Sequence, residues 1–344
     1  MSEPDPDLQE TDDDLEPDEF EAGPFTPAAL ESLEAVVPDA ISAQRIDRVA
    51  ATLFERYSRT RIQSWIESGR LEVDGVPADA RTRLYGGERL LLRPTAGDAE
   101  LASTPEAIDL DIVFEDETII VIDKPAGLVV HPGAGNWTGT LLNGLLHHDP
   151  ALAQVPRAGI VHRLDKDTSG LMVVARTLAA QTSLVRQLQA RSVSRRYFAM
   201  CWGVPAERFD CDGPIGRDPR ARIRMAVTTD GKPALTHVHR LAKGAIDAAP
   251  VASLACRLET GRTHQIRVHL ADNGHPLVGD AIYLTRSLGK RDQKTVRHAL
   301  HAFSLAFDHP ESGAQVHWMR PLPADLQELW RTAGLPEPDM SADA

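Results

Sequence analysis

Cysteine is scarce in this chain of 344 residues: only Cys201, Cys211 and Cys256 are present. An odd count with no C-x-x-C pair argues against a disulfide framework and against a structural zinc. Small buried residues in a reduced compartment are the expectation. Long apolar runs are missing as well. No stretch approaches the roughly 18 residues that a bilayer span requires. The acidic N-terminus lacks the apolar stretch of a secretory signal, so a cytoplasmic protein with no membrane partner is expected. Lysine and arginine are absent from residues 1–40, which hold 14 Asp and Glu. The rest of the chain carries 36 acidic against 37 basic residues, so the net charge of −13 belongs to that segment. Total charge therefore does not count against a nucleic-acid substrate.

What is present divides the chain. Residues 1–40, rich in Asp, Glu and Pro, cannot bury enough apolar surface to offset their ordering entropy and read as a disordered acidic tail. From Ile41 the pattern changes. Ile46, Val49, Ala50 and Leu53 share one face of a helix. Ser58 can cap a second helix carrying Ile62, Trp65 and Ile66, and Gly69 can end it. Leu71 to Val73, the turn pair Asp74-Gly75 and Val76 read as a hairpin, with a further strand at Arg89 to Leu92. Residues 41–94 carry 10 Arg against 7 acidic groups, and Arg59, Arg61 and Arg70 cluster about the second helix. Such a cluster is a solvated face or a phosphate-contacting surface.

Residues 95–107 lack periodicity and read as a linker. Over 108–331 strand-like runs dominate: Ile119 to Ile122, Gly170 to Ala175, Tyr197 to Trp202, Ala252 to Leu258 and Gln265 to Leu270. Leu178 to Gln189 is helical in pattern. The elements do not alternate as in a doubly wound sheet, so an α+β fold around a mixed or antiparallel sheet is predicted. Residues 332–344 read as a C-terminal tail.

Three segments carry candidate chemistry. In Gly159 to Ala175 a polar loop holding His162, Arg163, Asp165 and Asp167 feeds an apolar strand, a common place for catalytic groups. The same pattern can merely satisfy turn amides. A glycosidase pair of Asp165 and Asp167 is disfavoured, because neighbours in one short loop cannot flank a scissile bond. A metal site of His162, Asp165 and Asp167 lacks supporting ligands at recognisable spacing. In Leu258 to Leu270, read as a strand, Arg267 sits on the polar side, and a half-buried arginine requires an anionic partner. His264 and His269, at i and i+5, would face opposite sides of that strand and so do not make a zinc pair. In Ser194 to Gly203, Tyr197 is a core residue or a platform for an unstacked base. Basic residues gather between 186 and 243, including Arg217, Arg220, Arg222 and Arg224. A second group comprises Arg286, Lys290, Arg291, Lys294 and Arg297. Both can be plain surface or an RNA footprint.

Residues 41–94 resemble an S4 domain, a small RNA-binding module, through Arg45-Ile46-Asp47, the run Ser58 to Ile66, and Leu71 to Gly75. The remainder resembles the RluA/RluD family of pseudouridine synthases. His131 to Asn136, Gly159 to Gly170, Gly231 to His237, Gly261 to Leu270, His275 to Asp280 and Ala299 to Ala302 carry that resemblance in order. With the S4-like unit in front, it is strongest to the RluD-type members, which act on large-subunit ribosomal RNA at the loop of helix 69. The resemblance implies a pseudouridine synthase fold with a central RNA-binding cleft. It also implies isomerisation of uridine to pseudouridine, free rRNA or a ribosomal precursor particle as partner, and no cofactor or metal.

By position it makes Asp165 the essential aspartate and Arg163 the arginine that fills the space left by the flipped nucleotide. Tyr197 becomes the tyrosine stacked on the target uracil, and Arg267 the partner of the aspartate. Arg59, Arg61, Arg70, Arg222 and Arg224 would contact RNA. The sequence departs from the family after Tyr283, where Leu284 to Gly289 replaces glycine-rich sequence. The competing reading is a non-catalytic RNA-binding or ribosome-assembly factor on the same fold.

Overall fold

The computed structural model describes residues 32–55, 57–94, 102–133, 136–219, 221, 224–284, 288 and 297–342. The chain forms two compact units, residues 25–101 and a larger one that contains residues 102–344.

The smaller unit packs two helices on a short sheet. Strand β1 (Leu33–Val36) is followed by β2 (Gln44–Arg45), α1 (Ile46–Leu53) and α2 (Arg59–Glu67). Then come β3 (Leu71–Val73), β4 (Val76–Pro77), β5 (Arg83–Leu84) and β6 (Arg89–Leu92). The main sheet has the order β1-β6-β3-β4. The predicted helical stripe is present, with Ile46, Val49 and Ala50 packed against Ile62, Trp65 and Ile66. Ser58 caps α2 by accepting a hydrogen bond from Arg61 N, and Gly69 follows the helix at φ +68°.

The expected tail over 1–40 is too long. Leu33–Val36 pairs antiparallel with β6, and Val37 is buried. Leu33, Ala35 and Val37 alternate inward while Glu34 faces out. That period-2 signal spans only five residues at the end of an acidic, proline-rich segment; residues 1–31 lie outside the described residues.

The larger unit is built on a nine-stranded sheet among the described residues. Its strands include β7 (Ile112–Glu115), β8 (Ile119–Lys124), β9 (Ser169–Ala175) and β10 (Ser194–Trp202). The others are β11 (Arg208–Asp212), β14 (Leu235–Ile246), β15 (Ala249–Leu258), β16 (Leu300–Asp308) and β17 (Gln315–Met319). A separate ribbon pairs β12 (Ile215–Arg217) with β13 (Met225–Val227). The order is β11-β14-β15-β10-β16-β9-β8-β7, with β17 beside β16. Among the described strands only β9 and β16 pair in parallel, so the sheet is mixed, one of the two arrangements the sequence pattern allows.

Helices α3 (Leu141–His148), α4 (Leu178–Gln189), α5 (Gln265–Asp272) and α6 (Ala324–Thr332) accompany the sheet. Both faces are covered. Ile120, Ile122, Met172 and Val174 join one core, while Ile119, Val121, Leu171 and Val173 join another. Strands buried on both faces read as continuous apolar runs, as β8 and β9 do.

The structure corrects three expectations here. Gln265–Asp272 is a helix, not a strand. Its first six residues are all buried, so apolar spacing could not report a face; Asn273-Gly274, with Gly274 at φ +80°, was the available stop signal. The linker over 95–107 is shorter on its C-terminal side, because Asn143 Nδ2 donates to the carbonyls of Ala102 and Thr104. The tail expected over 332–344 is docked at its start: Ala333 and Leu335 are buried, and Ala333 O accepts from Ala245 N.

Candidate active site

The loop before β9 is held at both ends by glycines. Gly159 lies at φ +78°, and a Cβ there would come within 1.8 Å of Ala175 O. At Gly170, with φ +120°, a Cβ would meet Ala302 O at 2.3 Å. The close approach of backbones fixes where the loop leaves the sheet. Leu164 anchors it in the core, and Thr168 N closes a turn onto Asp165 O at 3.0 Å.

Lys124, at the end of β8, is fully buried. Its Nζ donates to Pro125 O, Leu128 O and Lys166 O at 2.8, 2.9 and 3.0 Å. Burial pushes its ammonium down to about 7, against the opposing pull of Asp165 and Asp167. Three donors meeting three carbonyls make it a clamp on the residue after Asp165. His162 also serves the backbone: its Nε2 accepts from Val173 N at 3.1 Å, and burial pushes it down to about 3.

Asp165 meets Arg267 across the pocket. Arg267 Nη1 donates to Asp165 Oδ2 at 2.8 Å. The rest of the guanidinium is committed to Asp280, with Nε to Oδ2 at 2.8 Å and Nη2 to Oδ1 at 3.0 Å. A bidentate charge-assisted pair orients the guanidinium plane and leaves one nitrogen for Asp165. Asp280 is itself held by the amides of Ile282 and Tyr283, which donate to its Oδ1.

Burial alone would raise the Asp165 carboxyl; positive charge beside it, on His264 and His298 when they are protonated and on Arg267 at every pH, outweighs burial and holds it below the usual carboxylate range. Burial also lowers His264, and it lowers His298 to about 4, so both imidazoles are neutral near pH 7. Arg267 is then the cation that keeps Asp165 ionised.

The pocket, about 410 Å³ including the solvent in its mouth, is lined by Arg163, Asp165, Arg195, Tyr197, His264 and Arg267, among others. Tyr197 lies on β10 at a bulge in its pairing with β16, beside Cys256 of β15. Bulges re-aim side chains. Burial raises the Tyr197 phenol, so it stays protonated. Arg163 is exposed and also lines the pocket. Gly261 lets Arg195 lie against the loop, since a Cβ there would come within 2.7 Å of Arg195 Nη1.

The structure thus brings Asp165, Arg267, Tyr197 and Arg163 together. Arg224 stands nearby, its guanidinium 5.3 Å from the centre of the Tyr283 ring. Arg59, Arg61 and Arg70 lie in the smaller unit. Arg59 is hydrogen-bonded to Asp47, Arg61 lies over Tyr57 and Trp65, and Arg70 is exposed. Arg222, Arg286, Lys290, Arg291 and Lys294 fall outside the described residues, as does most of the departure after Tyr283. Arg297 is no surface cation: it is buried, pairs with Asp325, and donates to Asp167 O and Ser169 Oγ.

Residues two apart point about 200° apart on a helix. Arg267 faces the pocket, while His269 bonds Thr236 Oγ1 and Gly213 O. His264 and His269 therefore stay apart, for a reason other than strand alternation. Among the described residues no group of three or more His, Cys, Asp or Glu converges on a point. The three cysteines are free and buried, as expected.

Sequence reasoning gave no role to Asp280, His264, Tyr283 or Lys124. The demand of a buried arginine for anions was the signal that could have led to Asp280, since a guanidinium has donors for two carboxylates.

Comparison with known proteins gives concordant findings. A family model described as RNA pseudouridylate synthase matches residues 118–272. The chain is 47% identical over 338 residues to "Ribosomal large subunit pseudouridine synthase D" of Neisseria meningitidis serogroup B, covering 94% of this chain and 88% of that protein. It is 47% identical over 307 residues to the protein of the same name from Escherichia coli O6:H1, covering 86% and 93%. Among solved structures, "Human RNA Pseudouridylate Synthase Domain Containing 1" matches with a TM-score of 0.51 and 29% identity, over 68% of this chain and 98% of that one.

Proposed function

Because the chain belongs to the RNA pseudouridylate synthase family, we propose that it converts specific uridines of large-subunit ribosomal RNA to pseudouridine. The target, by the same resemblance, is the helix 69 loop, in free rRNA or in a precursor particle, and the enzyme acts in the cytoplasm. The observation that carries the reading is the asymmetry of Asp165: one oxygen is held by Arg267 and the other faces a pocket lined by Tyr197.

The reaction is an isomerisation, so its atoms balance within the nucleotide. The N1–C1′ bond breaks, the uracil turns, C5 bonds C1′, and the C5 proton leaves as N1 gains one. A paired or stacked uridine must first be flipped out. Arg163, on the pocket wall, takes the space it vacates, and Tyr197 stacks on the extruded base. Asp165 acts on the ribose as nucleophile at C1′ or as base, and either role needs the ionised carboxylate that Arg267 maintains.

The smaller unit serves as an S4-like RNA anchor, with Arg59, Arg61 and Arg70 as its phosphate contacts. Arg222 and Arg224 add contacts to a central cleft of the larger unit. A purely binding role leaves the ionised, half-open Asp165 without a purpose.

The test is incubation of purified protein with unmodified rRNA, followed by mapping of carbodiimide-dependent reverse-transcription stops. Stops at discrete uridines are expected. Their absence under conditions where the RNA is bound would overturn the enzymatic reading.

A further inference from the structure

His264 occupies an unusual place. It is the residue before α5, held at φ +58° where non-glycine residues are uncommon, and its ring lines the Asp165 pocket. Strain of this kind persists only where the surroundings enforce it.

The enforcing partner is Tyr283. Its hydroxyl accepts a hydrogen bond from Met225 N at 3.0 Å and lies 2.8 Å from His264 Nδ1. With one lone pair taken by the amide, we infer that the phenolic proton is donated to Nδ1. The phenol ring is fixed in turn by two guanidiniums, Arg267 and Arg224, whose Cζ atoms lie 5.1 and 5.3 Å from its centre. Burial lowers His264 below the ordinary histidine range, so the ring is neutral near pH 7. A neutral imidazole that accepts at Nδ1 carries its proton on Nε2. Nε2 lies 4.0 Å from Asp165 Oδ1, which also lines the pocket, too far for a direct hydrogen bond.

A gap of this width admits one oxygen at about 2.9 Å from both atoms, with an angle of about 90° between the two bonds. That oxygen must accept from Nε2–H and donate to a carboxylate. A carbonyl of the uracil or a phosphate oxygen cannot donate; a hydroxyl does both. We propose that His264, locked in one tautomer by Tyr283, and Asp165 Oδ1 together bind the 2′-hydroxyl of the flipped nucleotide. The pair thereby positions the ribose and selects RNA over DNA. This rests on the function proposed above. His264 touches the sugar and Tyr283 is a positioning residue, acting through it.

The experiment compares two RNAs, one with ribose and one with 2′-deoxyribose at the target uridine. The first is assayed as substrate, the second as a competitive inhibitor, so it informs even if it is inert. His264→Ala should lower kcat/KM on the ribose RNA by about 10-fold, the loss of one hydrogen bond. Its affinity for the deoxyribose RNA should stay within about twofold of wild type. Tyr283→Phe, which keeps the ring, should lose part of the same selectivity. His264→Gln, whose amide can still donate, should recover part of it; this variant also stands in should the alanine variant fail to fold. Equal losses of rate and of deoxyribose-RNA affinity in His264→Ala or His264→Gln would mean a structural role and overturn the inference. Wild-type behaviour in Tyr283→Phe would overturn the tautomer lock. No product from wild-type protein on the ribose RNA would instead overturn the underlying function.

Discussion

Each unit of this protein holds an aspartate gripped by arginine, and the two grips differ in what they leave open. In the smaller unit Asp47 accepts from Arg45 Nε at 3.0 Å, Arg59 Nη2 at 2.8 Å and Gln63 Nε2 at 2.6 Å, and it is 1% exposed. In the larger unit Asp165 accepts, among side chains of the described residues, from Arg267 alone, and its side chain is 17% exposed. Asp47 is saturated. Asp165 is charged by its partner without being used up by it. The ion pairs are chemically alike, but a carboxylate whose oxygens are both engaged can only hold structure, whereas one with an oxygen left in a pocket is available to a substrate, as the proposed function requires. The arginines differ in the same sense. Arg59 is half exposed, while Arg267 is buried and fully divided between two carboxylates.

The contrast can be broken at its strongest point. Asp165→Asn should reduce kcat on the order of 10³-fold or more while RNA affinity holds within about twofold, because the charge is lost and the shape kept. Retained turnover would move the chemistry to another carboxylate.

Asp280→Asn tests whether Asp165 needs the carboxylate that orients its partner. Losing the bidentate anchor lets the Arg267 plane swing, and a drop in kcat of about 10- to 100-fold is expected from misplacement alone. Unchanged kcat with lowered thermal stability would reduce Asp280 to a structural role.

Asp47→Asn should cost the fold rather than the chemistry: about 1–3 kcal/mol of stability by urea unfolding. Burial raises the Asp47 carboxyl, but hydrogen bonds from Arg59, Arg45 and Gln63 outweigh it and hold the group at about 2, below its ordinary 3.8. A depressed carboxylate contributes stability that is fully present above 3.8 and lost as pH falls through about 2. The gap between wild type and variant should therefore narrow below pH 4. A gap that widened there would contradict the ion-pair account.

Much of the smaller unit was legible because its signals are local. The Ser58 cap, Gly69 stop and Asp74-Gly75 turn each act within a few residues, and all three appear where the sequence puts them. In the larger unit, β8, β9 and α4 were equally plain. Helix α5 was misread because burial on every side erases periodicity. Leu33–Val36 was missed because its pairing partner lies more than fifty residues away and the strand is only four residues long.

The sequence by itself determined the α+β class, the loop that carries Asp165, and the need of Arg267 for an anion. Each follows from side-chain chemistry over short spans. Only the tertiary structure decided how the guanidinium is shared between Asp165 and Asp280, which come together across 102 and 13 residues of chain. It alone brought Tyr283 to His264, and it alone left Asp165 with an open oxygen where Asp47 has none. Those are facts about distance and direction between remote side chains, and local spacing carries no record of either.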